Sequence, residues 1–197
     1  MAVVGCSQTT QHSARRAAPV TTSDAVPPRP TLRLARDGVR LTSGHLTNPF
    51  GFGVATFSEA GSIESGLGSP TEVLGPAPCP DGSNDTTQLL RWTTPQQSLQ
   101  VVFVDGKLAS WLLVVLTEGE PVPAHQSAIT VEGIGLGSTL SDLRRAYGSV
   151  EPFTSPASGG YFWTAGGYHG SITSAAPEGV VTGIQAGRDC IGQTLGE

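Results

Sequence analysis

The chain has 197 residues, a formal net charge of −5, 38% apolar residues and only 14% charged ones. Its 26 glycines and 15 prolines, with abundant Ser and Thr, make a strand-and-loop composition and exclude a membrane helix bundle, a coiled coil and a collagen-like rod. No dense basic stretch is available to neutralise phosphates, which argues against nucleic acid as a partner.

At the amino end, Val3-Val4-Gly5-Cys6 places an apolar pair and a small residue before a cysteine. This resembles the lipobox of bacterial lipoproteins, in which that cysteine is acylated after cleavage, and it implies Cys6 as a lipidation site. A signal needs a positive start and seven or more apolar residues, so residues 1–5 read as a truncated signal remnant: either the true start lies upstream or Met1 was added to a trimmed chain, and a chance cysteine in a disordered tail is the competing reading. Residues 6–30 are mostly Ser, Thr, Gln, Ala and Pro without apolar periodicity and read as a disordered tether. Such a tether lets a folded part wander roughly 27 Å from a membrane surface. The longest apolar run, Trp111 to Leu116, falls far short of the ~20 residues that span a bilayer. The expected location is therefore extracytoplasmic, held to the cell envelope by lipid. Setting Cys6 aside leaves Cys79 and Cys190. They are expected to form a disulfide, contributing about 4 to 5 kcal/mol in the chain-entropy model; two buried thiols are the alternative reading.

Further along, one order of elements occurs twice, displaced by about 75 residues. Gly53 to Phe57 leads into a helical stretch and Leu74-Gly75, and Gly133 to Gly137 leads into a second helix and Tyr147-Gly148. Arg91-Trp92-Thr93 then corresponds to Phe162-Trp163-Thr164. The expected fold class is α+β: two tandem helix-plus-antiparallel-sheet repeats, residues 31–120 and 121–197, forming one continuous or closely packed sheet surface. The first helix, around Ile63 and Leu67 with Gly61 and Gly66 beside them, should be short. The second has Ser138 or Thr139 as cap, Leu140, Leu143 and Tyr147 on one face, and Gly148 as stop.

The surest strands are Ser98 to Val104 and Lys107 to Leu116, joined by Asp105-Gly106, the residue pair whose turn needs positive φ at both positions. A two-residue loop predicts the pairs Val104 with Lys107, Phe103 with Leu108, Val101 with Ser110, and Gln100 with Trp111. Leu99, Val101, Phe103, Leu108, Leu112 and Val114 then face the core, and Trp111 lies beside Gln100 on the wetter face as a candidate for partner contact. Burial of Trp111 under the other repeat or a loop is the competing reading. In the second half, Gly166-Gly167 closes a hairpin with Trp163 across from Gly170, grouping Tyr161, Trp163 and Tyr168. These three are further binding candidates, unless Trp163 simply covers a strand glycine.

The pieces Gly137-Ser-Thr-Leu-Ser-Asp-Leu-Arg-Arg-Ala-Tyr-Gly148, Phe162-Trp163 and Leu99 to Lys107 resemble the tandem helix-plus-sheet repeat of the β-lactamase inhibitor protein family. They are similar too to the small outer-membrane assembly lipoproteins, which carry one such unit. The resemblance implies a non-catalytic extracytoplasmic protein that works by protein contact, and it supplies no inhibitory loop residue.

Reactive motifs are missing from the sequence: there is no Gly-x-Ser-x-Gly elbow, no phosphate loop ending in Gly-Lys-Ser/Thr and no His-Glu-x-x-His helix. His12, His45, His125 and His169 stand far apart and near no cysteine at ligand spacing. His169 with Asp189 would give a base and an orienting carboxylate but no nucleophile. No enzyme activity, cofactor or metal is expected. The expected function is a protein- or ligand-binding module acting through its sheet face, with a structural scaffold component of an envelope assembly as the alternative.

Overall fold

The computed structural model describes residues 30–79, 83–117, 128–156 and 158–188. In chain order the elements are β1 (Thr31–Ala35), β2 (Gly38–Ser43), β3 (Leu46–Gly51), a 3₁₀ turn (Phe57–Glu59), α1 (Ala60–Leu67), β4 (Glu72–Pro78), β5 (Thr86–Thr93), β6 (Gln97–Val104) and β7 (Lys107–Val115). They continue with β8 (Ile129–Thr130), α2 (Leu140–Tyr147), β9 (Phe153–Thr154), β10 (Tyr161–Ala165), β11 (Tyr168–Ile172) and β12 (Val181–Gly187). One sheet has four strands in the order β3-β2-β1-β8, and the other has eight in the order β4-β5-β6-β7-β12-β11-β10-β9.

This corrects the α+β expectation. Half of the described residues are strand and 13% are helix, in a mainly β protein with two short helices. Among the described residues the halves do not match strand for strand either, since seven strands lie before residue 118 and five after residue 127. The first sheet takes three strands from one side and only two-residue β8 from the other, β8 running parallel to β1. The helix signals were real, but each helix is only two turns long, and the elements that dominate the fold are strands.

Residues 31–43 carry their own hairpin logic. Leu32, Leu34, Val39 and Leu41 alternate with polar residues and are all buried, which turns one side of β1 and β2 toward the core. Gly38, at φ 148°, closes this hairpin where β3 passes so near that a Cβ would collide with the Phe50 carbonyl. The helices begin on a shared device. Thr56 and Glu59 form a capping box before the 3₁₀ turn and α1, and Thr139 and Asp142 form one before α2. The start of α2 is strapped by residues 177–181, through Leu140 N–H to the Gly179 carbonyl and Ser141 N–H to the Pro177 carbonyl.

The predicted β6–β7 hairpin forms, with Val104 opposite Lys107 and Phe103 opposite Leu108. Beyond that the register departs from expectation. Val102 pairs with Ser110, Val101 with Trp111 and Gln100 with Leu112, leaving Ala109 as the extra residue of a bulge. The cause lies outside the hairpin. Leu108 donates its N–H to the Ala55 carbonyl at 2.8 Å and accepts from Gly53 N–H at 2.7 Å, while the Ala109 carbonyl accepts from Arg188 N–H at 3.1 Å. Polar backbone groups that a regular ladder would satisfy are thus satisfied from elsewhere, and one added residue exchanges the two faces of the rest of β7.

As a result Trp111 and Leu113 face the core and Leu112 faces outward, the reverse of the predicted assignment. Trp111 is 0% exposed. Its indole N–H is shared between the carbonyls of Ala35, at 2.9 Å, and Gly38, at 3.0 Å, which pins the β1–β2 turn to the centre of the eight-stranded sheet. Around it one continuous cluster joins Leu34, Val39, Ile63, Val101, Phe103, Leu113, Leu140, Leu143, Trp163 and Ile184. Both sheets and both helices therefore share a single core.

Replacing Trp111 by Phe removes the donor from two buried carbonyls and leaves unfilled space, at a cost of about 2 to 4 kcal/mol. Urea denaturation should show a lower midpoint at unchanged slope; a midpoint equal to that of the parent would mean the indole contact contributes nothing.

Candidate functional site

The aromatic candidates divide by location. Trp111, Trp163 and Tyr168 are fully buried, and together with Tyr147 they form a chain of rings. Centroids are 5.9 Å apart for Trp111–Tyr168, 5.6 Å for Tyr168–Tyr147 and 6.3 Å for the stacked Tyr147–Trp163 pair. Trp163 does lie opposite Gly170, with its indole 2.7 Å from where a Cβ on that glycine would sit. It is a packing aromatic and gives no surface for a partner. Tyr161 is 37% exposed. Gln100 is half-buried on the outer face.

Glu132, in the loop before α2, collects the two phenols. Tyr168 donates to its Oε2 at 2.9 Å and Tyr147 at 3.4 Å, and Tyr147 also meets Thr130 Oγ1 at 3.2 Å. Burial, reinforced by the Glu132 charge, pushes Tyr147 up to about 12 and Tyr168 far above the ordinary phenol range. Two protonated phenols donating to one carboxylate form a clasp between β11, α2 and the residue 131–137 loop.

The surface that remains is the other side of the eight-stranded sheet. Cross-strand pairing places Glu72, Arg91, Gln100, Leu112, Gln185, His169 and Thr164 in one row across seven strands. A parallel row runs through Ser98, Val114, Gly183, Ser171, Phe162 and Phe153, of which Ser98 and Gly183 are buried. Arg91 pairs with Glu72, His169 Nδ1 meets Thr164 Oγ1 at 3.2 Å, and Phe153 and Phe162 lie with ring centroids 6.2 Å apart. Arg91, Gln100, Leu112, Val114, Gln185 and His169 all keep partial exposure, and none belongs to the core cluster. Sequence reasoning found Gln100 but missed Leu112 and Val114, because the Ala109 bulge decides which β7 residues face outward, and missed Gln185 because β12 was not read as a strand.

At one end of this face β12 stops at Gly187, short of the β6–β7 and β10–β11 turns on either side. The notch left there is an open depression of about 690 Å³ lined by Phe52, Val104, Lys107, His169, Arg188 and neighbours. Among the described residues no group of three or more His, Cys, Asp or Glu side chains could hold a metal, and no helix is long and apolar enough to cross a membrane. His45 is exposed on the β2–β3 turn. Cys79 is buried and disulfide-bonded; Cys6, Cys190, Asp189, His12 and His125 lie outside the described residues.

The tyrosine clasp makes stability depend on alkaline pH. Each phenol has a folded pKa raised above its unfolded value of 10.0, so its contribution is complete below pH 10 and is lost as pH rises through the folded values. Spectrophotometric titration should show Tyr147 and Tyr168 still protonated at pH 11, and Tyr147→Phe should remove part of the stability loss between pH 10 and 12. A full complement of phenolate at pH 11 in the folded protein would disprove the clasp.

No protein-family model matches the chain, and no curated protein is similar to it. A solved structure described as a cysteine-rich secretory protein from Staphylococcus aureus subsp. aureus Mu50 is similar over 66% of this chain and 42% of that one, at 8% identity and a TM-score of 0.35. The chain thus spans less than half of that protein's length, and the likeness is too distant to carry an argument about function.

Proposed function

We propose that this chain is a non-catalytic binding module that engages an envelope protein across the outer face of its eight-stranded sheet. The observation that supports this reading is the pair of rows through Gln100, Leu112, Gln185 and Val114, Phe162, Phe153. They form a rigid, partly exposed surface that mixes apolar side chains with hydrogen-bonding ones, the make-up of a recognition surface. Rigidity matters because β5, β6, β7, β10, β11 and β12 each send side chains of their opposite side into the shared core, so little ordering cost falls on binding there. A structural scaffold would instead work through strand edges, where β4 exposes Val73 and Leu74.

A photo-crosslinking residue placed at Gln100 or Leu112, in cells of the source organism, should give a discrete adduct that is absent when the probe sits at Arg145 on the far side. Leu112→Arg should abolish the adduct formed from position 185 while leaving the melting temperature within about 2 °C. Adducts formed only from Val73 on the β4 edge or Leu46 on the β3 edge would favour the scaffold, and equal labelling from all positions would defeat the binding face.

The same proposal places the module outside the cytoplasm on a lipid anchor at Cys6, with residues 6–30 as spacer. Protein from the native gene should partition with membranes and carry a diacylglyceryl adduct on Cys6 by mass spectrometry, and Cys6→Ser should release it. An unmodified Cys6 in protein recovered from the cytosol would overturn the anchor.

A further inference from the structure

The notch at the end of β12 has a chemistry distinct from the sheet face. Its charged lining is Lys107, at the start of β7, and Arg188, immediately after β12, with His169 on β11 between them and one acid, Asp105. Asp105 is already occupied: its Oδ1 accepts from Thr86 N–H at 2.9 Å and from Thr86 Oγ1 at 3.3 Å. Neither Lys107 nor Arg188 has an ion-pair partner among the described residues. His169 spends Nδ1 on Thr164, which leaves Nε2 to contact a ligand. Beneath the charges the lining is apolar, from Phe52, Val104, Leu108 and Ala109.

Cations gathered in this way are unexpected in a chain of formal charge −5. They stand around a concavity of about 690 Å³, within the size range of small-molecule sites. From this juxtaposition we infer that the notch is a binding site for a small organic anion, a carboxylate or phosphate joined to a compact apolar body. Arg188 and Lys107 hold the anionic end, since a guanidinium fork and an ammonium both pair with it. Phe52 and Val104 receive the apolar end. The inference does not depend on the sheet-face reading and can hold or fail separately from it.

Lys107 is the chain's sole lysine, so reductive ¹³C-methylation, which keeps its charge, gives one side-chain NMR signal inside the notch. The probes are acetate, phenylacetate and the neutral isostere phenylacetamide, titrated at constant ionic strength, with inorganic phosphate as an anion lacking an apolar part. The site predicts a saturable shift with phenylacetate, at least fivefold tighter than with acetate or phosphate, and little response to phenylacetamide. Arg188→Gln should weaken phenylacetate at least tenfold, and Arg145→Gln should not. Amide shifts in the unmethylated protein should be confined to Gly53, residues 105–109 and residues 167–169, a readout that stands even if Arg188→Gln fails to fold. A linear response, equal binding of phenylacetamide, or amide shifts spread over the surface would overturn the inference.

Discussion

The arrangement turns on one shared hydrogen bond, from the Trp111 indole to the Ala35 and Gly38 carbonyls. Apart from it and the backbone bonds of Gly53 and Ala55 to Leu108, the four-stranded sheet rests on the eight-stranded one through apolar contact, which is strong but non-directional. The bond fixes where the β1–β2 turn sits, and its neighbours follow. Tyr168 packs against Trp111, while Phe52 N–H donates to the Asp37 carbonyl at 2.8 Å. The turn at residues 35–38 is thus held by an indole and a backbone N–H at once.

That geometry is available only because Ala109 is a bulge. With a regular ladder Trp111 would point outward, where no carbonyls await it, and Leu112 would enter the core. The bulge in turn is held by residues distant in sequence, Gly53 and Ala55 on one side and Arg188 on the other. The same local irregularity therefore decides the core, the composition of the outer face, and the notch where β12 gives way to Arg188. Packing and candidate function are linked through one residue's worth of register.

Particular elements show how far the sequence could be read. The cap of α2 at Thr139, one of the two residues read for it, its Gly148 stop, the Asp105-Gly106 turn with its first two pairs, and Trp163 opposite Gly170 are governed by residues a few positions apart and formed as read; the partnership of Asp142 in the cap and the register beyond Leu108 were not read. The β1–β2 hairpin went unread although Leu32, Leu34, Val39 and Leu41 alternate around an Asp37-Gly38 pair; its turn residues are Arg36 and Asp37, one position before those the Asp-Gly signal would give. The fold class failed for another reason. Two helix signals at matching positions suggested paired repeats, while the strand content of residues 31–52 and the destination of β8 depend on partners far along the chain.

By itself, then, the sequence determined the local pieces: where helices start and stop, which turns close hairpins, the overall charge, and the absence of recognised catalytic motifs. These follow from capping, positive-φ turns and side-chain inventory, all short-range chemistry. Tertiary structure alone decided that Trp111 and Tyr168 are core rather than surface, that Leu112 and Gln185 share a row with Gln100, and that Lys107, His169 and Arg188 meet around one notch. Each of those outcomes needs backbone groups tens of residues apart to satisfy one another, and a period-2 pattern cannot reveal a one-residue shift imposed from outside the hairpin.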